Sequence, residues 1–132
     1  MTNLEYFTAM TAFWVAIAWA PYILNRIMVL GLMETLANPS DDAKPLAPWA
    51  QRAKRAHIVA IEAFAPFAAA ALMAMIKIPD DAYAGTLAMS FFFGIFAHYI
   101  IYTMGIPVLR TLAFTLAALS TVALVLRVMG VI

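Results

Sequence analysis

The residues able to do chemistry are few, and they sit in segments otherwise suited to hydrocarbon. Residues 52–67 read RAKRAHIVAIEAFAPF, a basic run and a histidine leading into an apolar stretch that holds one acid, Glu62. Arg55, Val59, Glu62 and Pro66 are separated by 4, 3 and 4 residues, so on a helix they line one face. Arg55 and Glu62 lie two turns apart there, and a ligand carrying both an acidic and a basic group would bridge them. Further along, His98 and Tyr102 share a helix face, and Arg110 follows just past Gly105-Ile106-Pro107. Ionisable groups inside membrane segments are costly and by default mark function. Bland readings stand beside the functional one. Glu62 would pair with an arginine from another helix, Arg26 and Arg110 would snorkel to phosphates, and His98 would hydrogen-bond a carbonyl.

The elements that must position these groups follow from composition. Of 132 residues, 66% are hydrophobic and 11% charged, whereas a soluble domain is nearer a quarter charged. The chain is therefore expected to be an all-α integral membrane protein. A helix needs roughly 20 residues to cross about 30 Å of hydrocarbon. Apolar runs predict helices over roughly 5–33, 49–77, 82–104 and 107–130. The last two come from one long run that must fold back, and Pro107 supplies the break because proline removes a backbone donor. The expected architecture is a single membrane domain over 1–132, a four-transmembrane-helix up-and-down bundle.

Charge and composition also exclude. A net charge of +1 offers no field for nucleic acid, the absence of cysteine rules out disulfides, thiolate metal sites and a cysteine nucleophile, and two histidines alone make no metal site. Arg26, Lys44, Arg52, Lys54, Arg55 and Arg110 gather at one side, against Lys77 and Arg127 at the other. The positive-inside rule then puts the first loop in the cytoplasm and both termini opposite. Arg26, Arg55 with Glu62, His98 with Tyr102, and Arg110 all point to that side, where a basic pocket would bind an anionic small molecule or lipid head group. A transporter would show paired broken helices at mid-membrane, and only Pro21 and Pro66 offer kinks.

With these segments in view, the chain resembles the membrane-associated proteins in eicosanoid and glutathione metabolism, the MAPEG family. RAKRAHIVAIE is similar to the family's second-helix motif, an arginine followed four residues later by asparagine and seven later by glutamate. HYIIYTMGIPVLRTLAF resembles the family's passage from third helix to fourth, with its tyrosine, proline and arginine. The resemblance implies a homotrimer, with glutathione as co-substrate between neighbouring subunits. It implies that Arg55 and Glu62 hold the charged ends of glutathione, with Arg26 reaching in from an adjacent subunit. Tyr102 and His98 would line the site, and Arg110, as the catalytic residue, would face the sulfur.

The implied activity is that of a glutathione-dependent transferase or peroxidase acting on lipophilic electrophiles or hydroperoxides at the membrane interface. The alternative is a non-catalytic family member that binds a membrane lipid or serves as an accessory subunit of a larger membrane complex. Three positions depart from the pattern. Val59 replaces the motif asparagine, and Ala63 and Phe114 stand where some members carry tyrosine.

Overall fold

A computed structural model describes all residues, 1–132. Its regular structure is entirely helical: α1 (Asn3–Ile17), α2 (Ala20–Leu30), α3 (Leu32–Leu36), α4 (Pro48–Lys77), α5 (Ala82–Met104) and α6 (Pro107–Val128). Four helices, Asn3–Leu30 taken as one, are long and apolar enough to cross a membrane. The boundaries have local causes. Thr2 and Glu5 form a reciprocal capping box at α1, Pro48 and Pro107 open α4 and α6, and Asp81 caps α5 through the Ala84 N–H at 2.8 Å. Such caps satisfy donors that a helix start leaves orphaned. Gly105, at φ +83°, ends α5 in the left-handed region that glycine tolerates.

The expected first helix over 5–33 is not continuous. It breaks at Ala18–Trp19 and again at Gly31. Pro21 explains the first break, since it has no N–H for the Ile17 carbonyl and its ring crowds that turn. In a bilayer, irregular backbone survives only where protein satisfies it. Here the Val15 carbonyl accepts from His57 Nε2 at 2.8 Å and the Ala18 carbonyl from the Tyr99 hydroxyl at 3.0 Å. With Nε2–H committed to Val15, His57 Nδ1 accepts from the Tyr22 hydroxyl at 2.8 Å.

Helix α5 sits at the centre and packs against α1, α4 and α6. Ala60, Ala71, Ala74, Ala84, Ala88 and Ala117 are fully buried, and such small side chains let membrane helices approach closely. Phe67 of α4 stacks on Phe91 of α5 with centroids 3.9 Å apart, and Trp14 meets Tyr99 edge-on at 5.2 Å. The outer faces expose apolar residues such as Phe13, Leu72, Ile76 and Leu119, as lipid contact requires.

At the end away from the first loop, Asp81 Oδ2 accepts from Arg127 Nη2 at 2.7 Å and Nε at 2.9 Å. These bonds, then the Ala84 N–H, hold the Asp81 carboxyl below its usual value of 3.8. A depressed folded-state pKa gives stability that is present above the unfolded pKa and lost as pH falls through the folded one. Thermal unfolding in detergent should therefore lose stability as pH drops below about 4. Asp81→Asn should remove that part of the pH dependence, and an identical acid limb in the variant would refute the assignment.

Candidate functional site

Two helical stripes face each other across a groove between α4 and α6. On α4 the stripe is Val59, Glu62, Ala63 and Pro66; on α6 it is Phe114, Ala118, Thr121 and Val122, with Phe91 of α5 at the back. The groove measures about 520 Å³, within the range in which pockets bury a small ligand. Arg55 continues the α4 stripe two turns before Glu62, and Arg110 continues the α6 stripe one turn before Phe114. Both cations thus extend the stripes toward the same end of the groove.

Glu62 is the polar group on the groove's α4 wall, and it has no ionic partner within the chain. The single ion pair in the structure joins Asp81 and Arg127 at the far end. The alternative that Glu62 locks the bundle through an internal arginine is thus not what the fold contains. The reason is orientation: α4 packs inward through Ala53, Ala56, Ala60, Phe67 and Ala71, which leaves the Arg55–Glu62–Pro66 face turned outward. Pro66 adds a second acceptor, because it denies the Glu62 carbonyl its i+4 backbone donor.

The sequence-predicted residues are only partly brought together. The Arg110 guanidinium lies 4.2 Å over the Tyr102 ring, a cation–π arrangement. Tyr102 in turn meets His98 edge-on at 5.5 Å, and His98 lies 5.8 Å from the Phe114 ring. His98 is buried and its Nδ1 has no hydrogen-bond partner, so it does not bond a carbonyl through that atom. The other unpartnered buried side-chain atom is Thr103 Oγ1, on the last turn of the same helix. Buried polar atoms left unpaired are rare, and one of the two belongs to this cluster. Arg26 stands elsewhere. It lines a separate cavity beneath the first loop, together with Arg55.

Sequence reasoning passed over two residues. Arg52 donates from Nε to the Thr103 carbonyl at 3.0 Å and packs against Gly105, where a Cβ would come within 3.3 Å of its guanidinium. It thereby pins the turn that launches α6 and Arg110. His57, given no role in the sequence beyond following the basic run, joins the broken first span to α4. The spacing held a hint: His57 follows Ala53 and Ala56, small residues at the i−4 and i−1 positions of the inward face.

Against known proteins, the model described as MAPEG family matches residues 5–130. No curated protein and no solved structure matches the chain.

Proposed function

The chain belongs to the MAPEG family, and on that premise we propose a glutathione-dependent transferase or peroxidase for lipophilic electrophiles and hydroperoxides, working as a homotrimer. The facing stripes carry this reading, with Arg55 and Arg110 toward one end, Glu62 inside, and an apolar wall beyond. Glutathione has two carboxylates, one ammonium and a thiol. Cations suit its carboxylates, and Glu62, aided by its own freed carbonyl, suits the ammonium. Arg110 is the group proposed to face the sulfur. A thiol with a pKa near 8.5–9 is mostly protonated at neutral pH, and a neighbouring cation favours the thiolate. The thiolate bonds to an electrophilic carbon reached from the bilayer and displaces its leaving group. With a hydroperoxide, two glutathione molecules are oxidised to the disulfide while the peroxide becomes alcohol and water.

The trimer is supported by the outward α4 face. Ile58 and Ile61 are about half exposed, and the unpaired Glu62 lies among them. A carboxylate facing lipid is costly, and a neighbouring copy would cover this face and bring its Arg26 nearby. The basic bias of the first-loop end supports a cytoplasmic placement of that loop, with both termini opposite. Mass measurement in mild detergent that finds only monomers would count against the intersubunit site.

Val59 and Phe114 favour the second reading, a non-catalytic member that binds a lipid or serves a larger complex. Val59 puts hydrocarbon where the motif has asparagine, and Phe114 lacks the hydroxyl that some members carry there. Calorimetry with glutathione, alongside conjugation and hydroperoxide assays, separates the two. Absence of both binding and turnover would sink the enzyme reading. Val59→Asn is expected to tighten glutathione binding by roughly 5- to 150-fold, the equivalent of about 1–3 kcal/mol for one satisfied hydrogen bond. An unchanged Kd would show that position 59 does not face the ligand.

A further inference from the structure

The last turn of α5 is held from two sides by arginines. Its Ile101 and Tyr102 carbonyls accept from the turn itself, from the Ile106 N–H at 3.2 Å and the Gly105 N–H at 2.9 Å. The Thr103 carbonyl would look four residues on for its donor, but that residue is Pro107, which has no N–H. It accepts instead from Arg52 Nε of α4, at 3.0 Å. A cation at a helix C-terminus also meets the negative end of the dipole. From the other side, the Arg110 guanidinium lies 4.2 Å over the ring of Tyr102, the residue before Thr103.

Arg52 reaches this place by register. It lies one residue before Ala53 and three before Arg55, so it falls between the buried face of α4 and the groove stripe. Gly105 leaves room for it, since a Cβ there would sit 3.3 Å from both Nε and Cζ. Arg52 forms no ion pair, and the carbonyl is what it holds. Only Gly105 and Ile106 separate α5 from α6, and Arg110 falls in the first turn of α6. So short a link passes any tilt of the α5 end on to Arg110. The clasp thereby fixes Arg110 relative to Arg55 and Glu62, which ride on the same helix as Arg52.

We propose that Arg52 is a positioning residue, which by holding the Thr103 carbonyl sets Arg110 against the thiol of a glutathione anchored on α4. The role rests on the enzyme reading. It works through the hydrogen bond and not through the charge. A misplacement of about 1 Å can cost about 10²-fold in rate, so a clasp remote from the sulfur is felt there.

Glutamine separates bond from charge, because its Nε2 lies as many bonds from Cα as arginine Nε does. Arg52→Met loses both, whereas Arg52→Gln keeps the donor. Turnover with glutathione at neutral pH should fall about tenfold in Arg52→Met, and the pH at which it levels off should rise by about one unit. Arg52→Gln should recover most of the rate. S-methylglutathione, which has no thiol to ionise, should bind wild type and both variants equally in calorimetry. Hydrogen exchange over residues 104–110 should quicken in the methionine variant alone, and unchanged exchange elsewhere checks that it is folded. Lys54→Gln, which removes an exposed cation two residues on, should change nothing. A methionine variant with the rate, pH profile and exchange of wild type overturns the role. So does a glutamine variant as impaired as the methionine one, or an equal loss in Lys54→Gln, since charge alone would then be acting. Weakened S-methylglutathione binding would make Arg52 an anchor for glutathione instead. Wild-type protein without glutathione turnover ends the enzyme reading and this role with it, whereas an unimpaired methionine variant of an active enzyme ends this role alone.

Discussion

Arg110→Leu is expected to cut glutathione-dependent turnover by about 10²–10³-fold at neutral pH, the usual cost of removing one charge-stabilising donor. Leucine keeps the helix and much of the apolar stem, so a smaller stability change is expected than functional change. The cation is what goes. In the wild type it would stabilise the thiolate, and each unit of thiol pKa it lowers is worth about 1.4 kcal/mol. Without it the thiol returns toward its ordinary pKa near 8.5. The sign is therefore fixed: the rate of the variant should rise with pH up to about 9, whereas the wild type should level off at lower pH. Arg110→Lys should recover part of the rate, because the charge returns without the planar fork that stacks on Tyr102. The ultraviolet absorbance of bound thiolate gives a readout independent of turnover. Unchanged rates and pH profile in Arg110→Leu would remove Arg110 from the chemistry and leave glutathione binding to be judged by calorimetry alone.

How far these features could be read from the sequence depends on the length scale of the signal. The four spans were legible because hydropathy sums over about 20 residues, and the turn before α6 was marked by glycine and proline together. The α4 stripe was legible too, since 4-3-4 spacing fixes a face whatever the tertiary packing. Which face looks inward was not. That choice depends on Ala53, Ala56 and Ala60 packing onto neighbouring helices, and alanine carries little periodic signal in a segment that is apolar all round. The pairing of Arg110 with Tyr102, the Arg52 bond to Thr103, and the His57 bridge are contacts across 8, 51 and 42 residues. No local pattern specifies them. The break at Ala18 was half legible: Pro21 signals a kink, but only the Tyr99 and His57 partners show how its carbonyls are satisfied.

Gly94→Leu should be the most disruptive single change to the scaffold. A Cβ at position 94 would lie 3.0 Å from the Ala117 nitrogen, 3.1 Å from the Ala113 carbonyl oxygen and 3.3 Å from the Ala117 Cα. All three are backbone atoms of α6, so no side chain can swing away and the helices themselves must part. Overpacking a core costs about 1–3 kcal/mol where side chains can adjust, and backbone displacement places this variant at or above the top of that range. The effect should reach the site, because Ala113 and Ala117 flank Phe114 and Ala118 on the helix that carries Arg110 and forms one wall of the groove. Gly94 also lies one turn from Phe91, whose stack on Phe67 joins α5 to α4. Thermal unfolding in detergent should fall in the order glycine, alanine, leucine, with ligand affinity falling alongside it. A leucine variant that melts like the wild type would mean that the α5–α6 approach can relax without cost. A variant that melts lower yet binds unchanged would mean that the groove is held from the α4 side, through Phe67 and the Arg52 clasp on the turn.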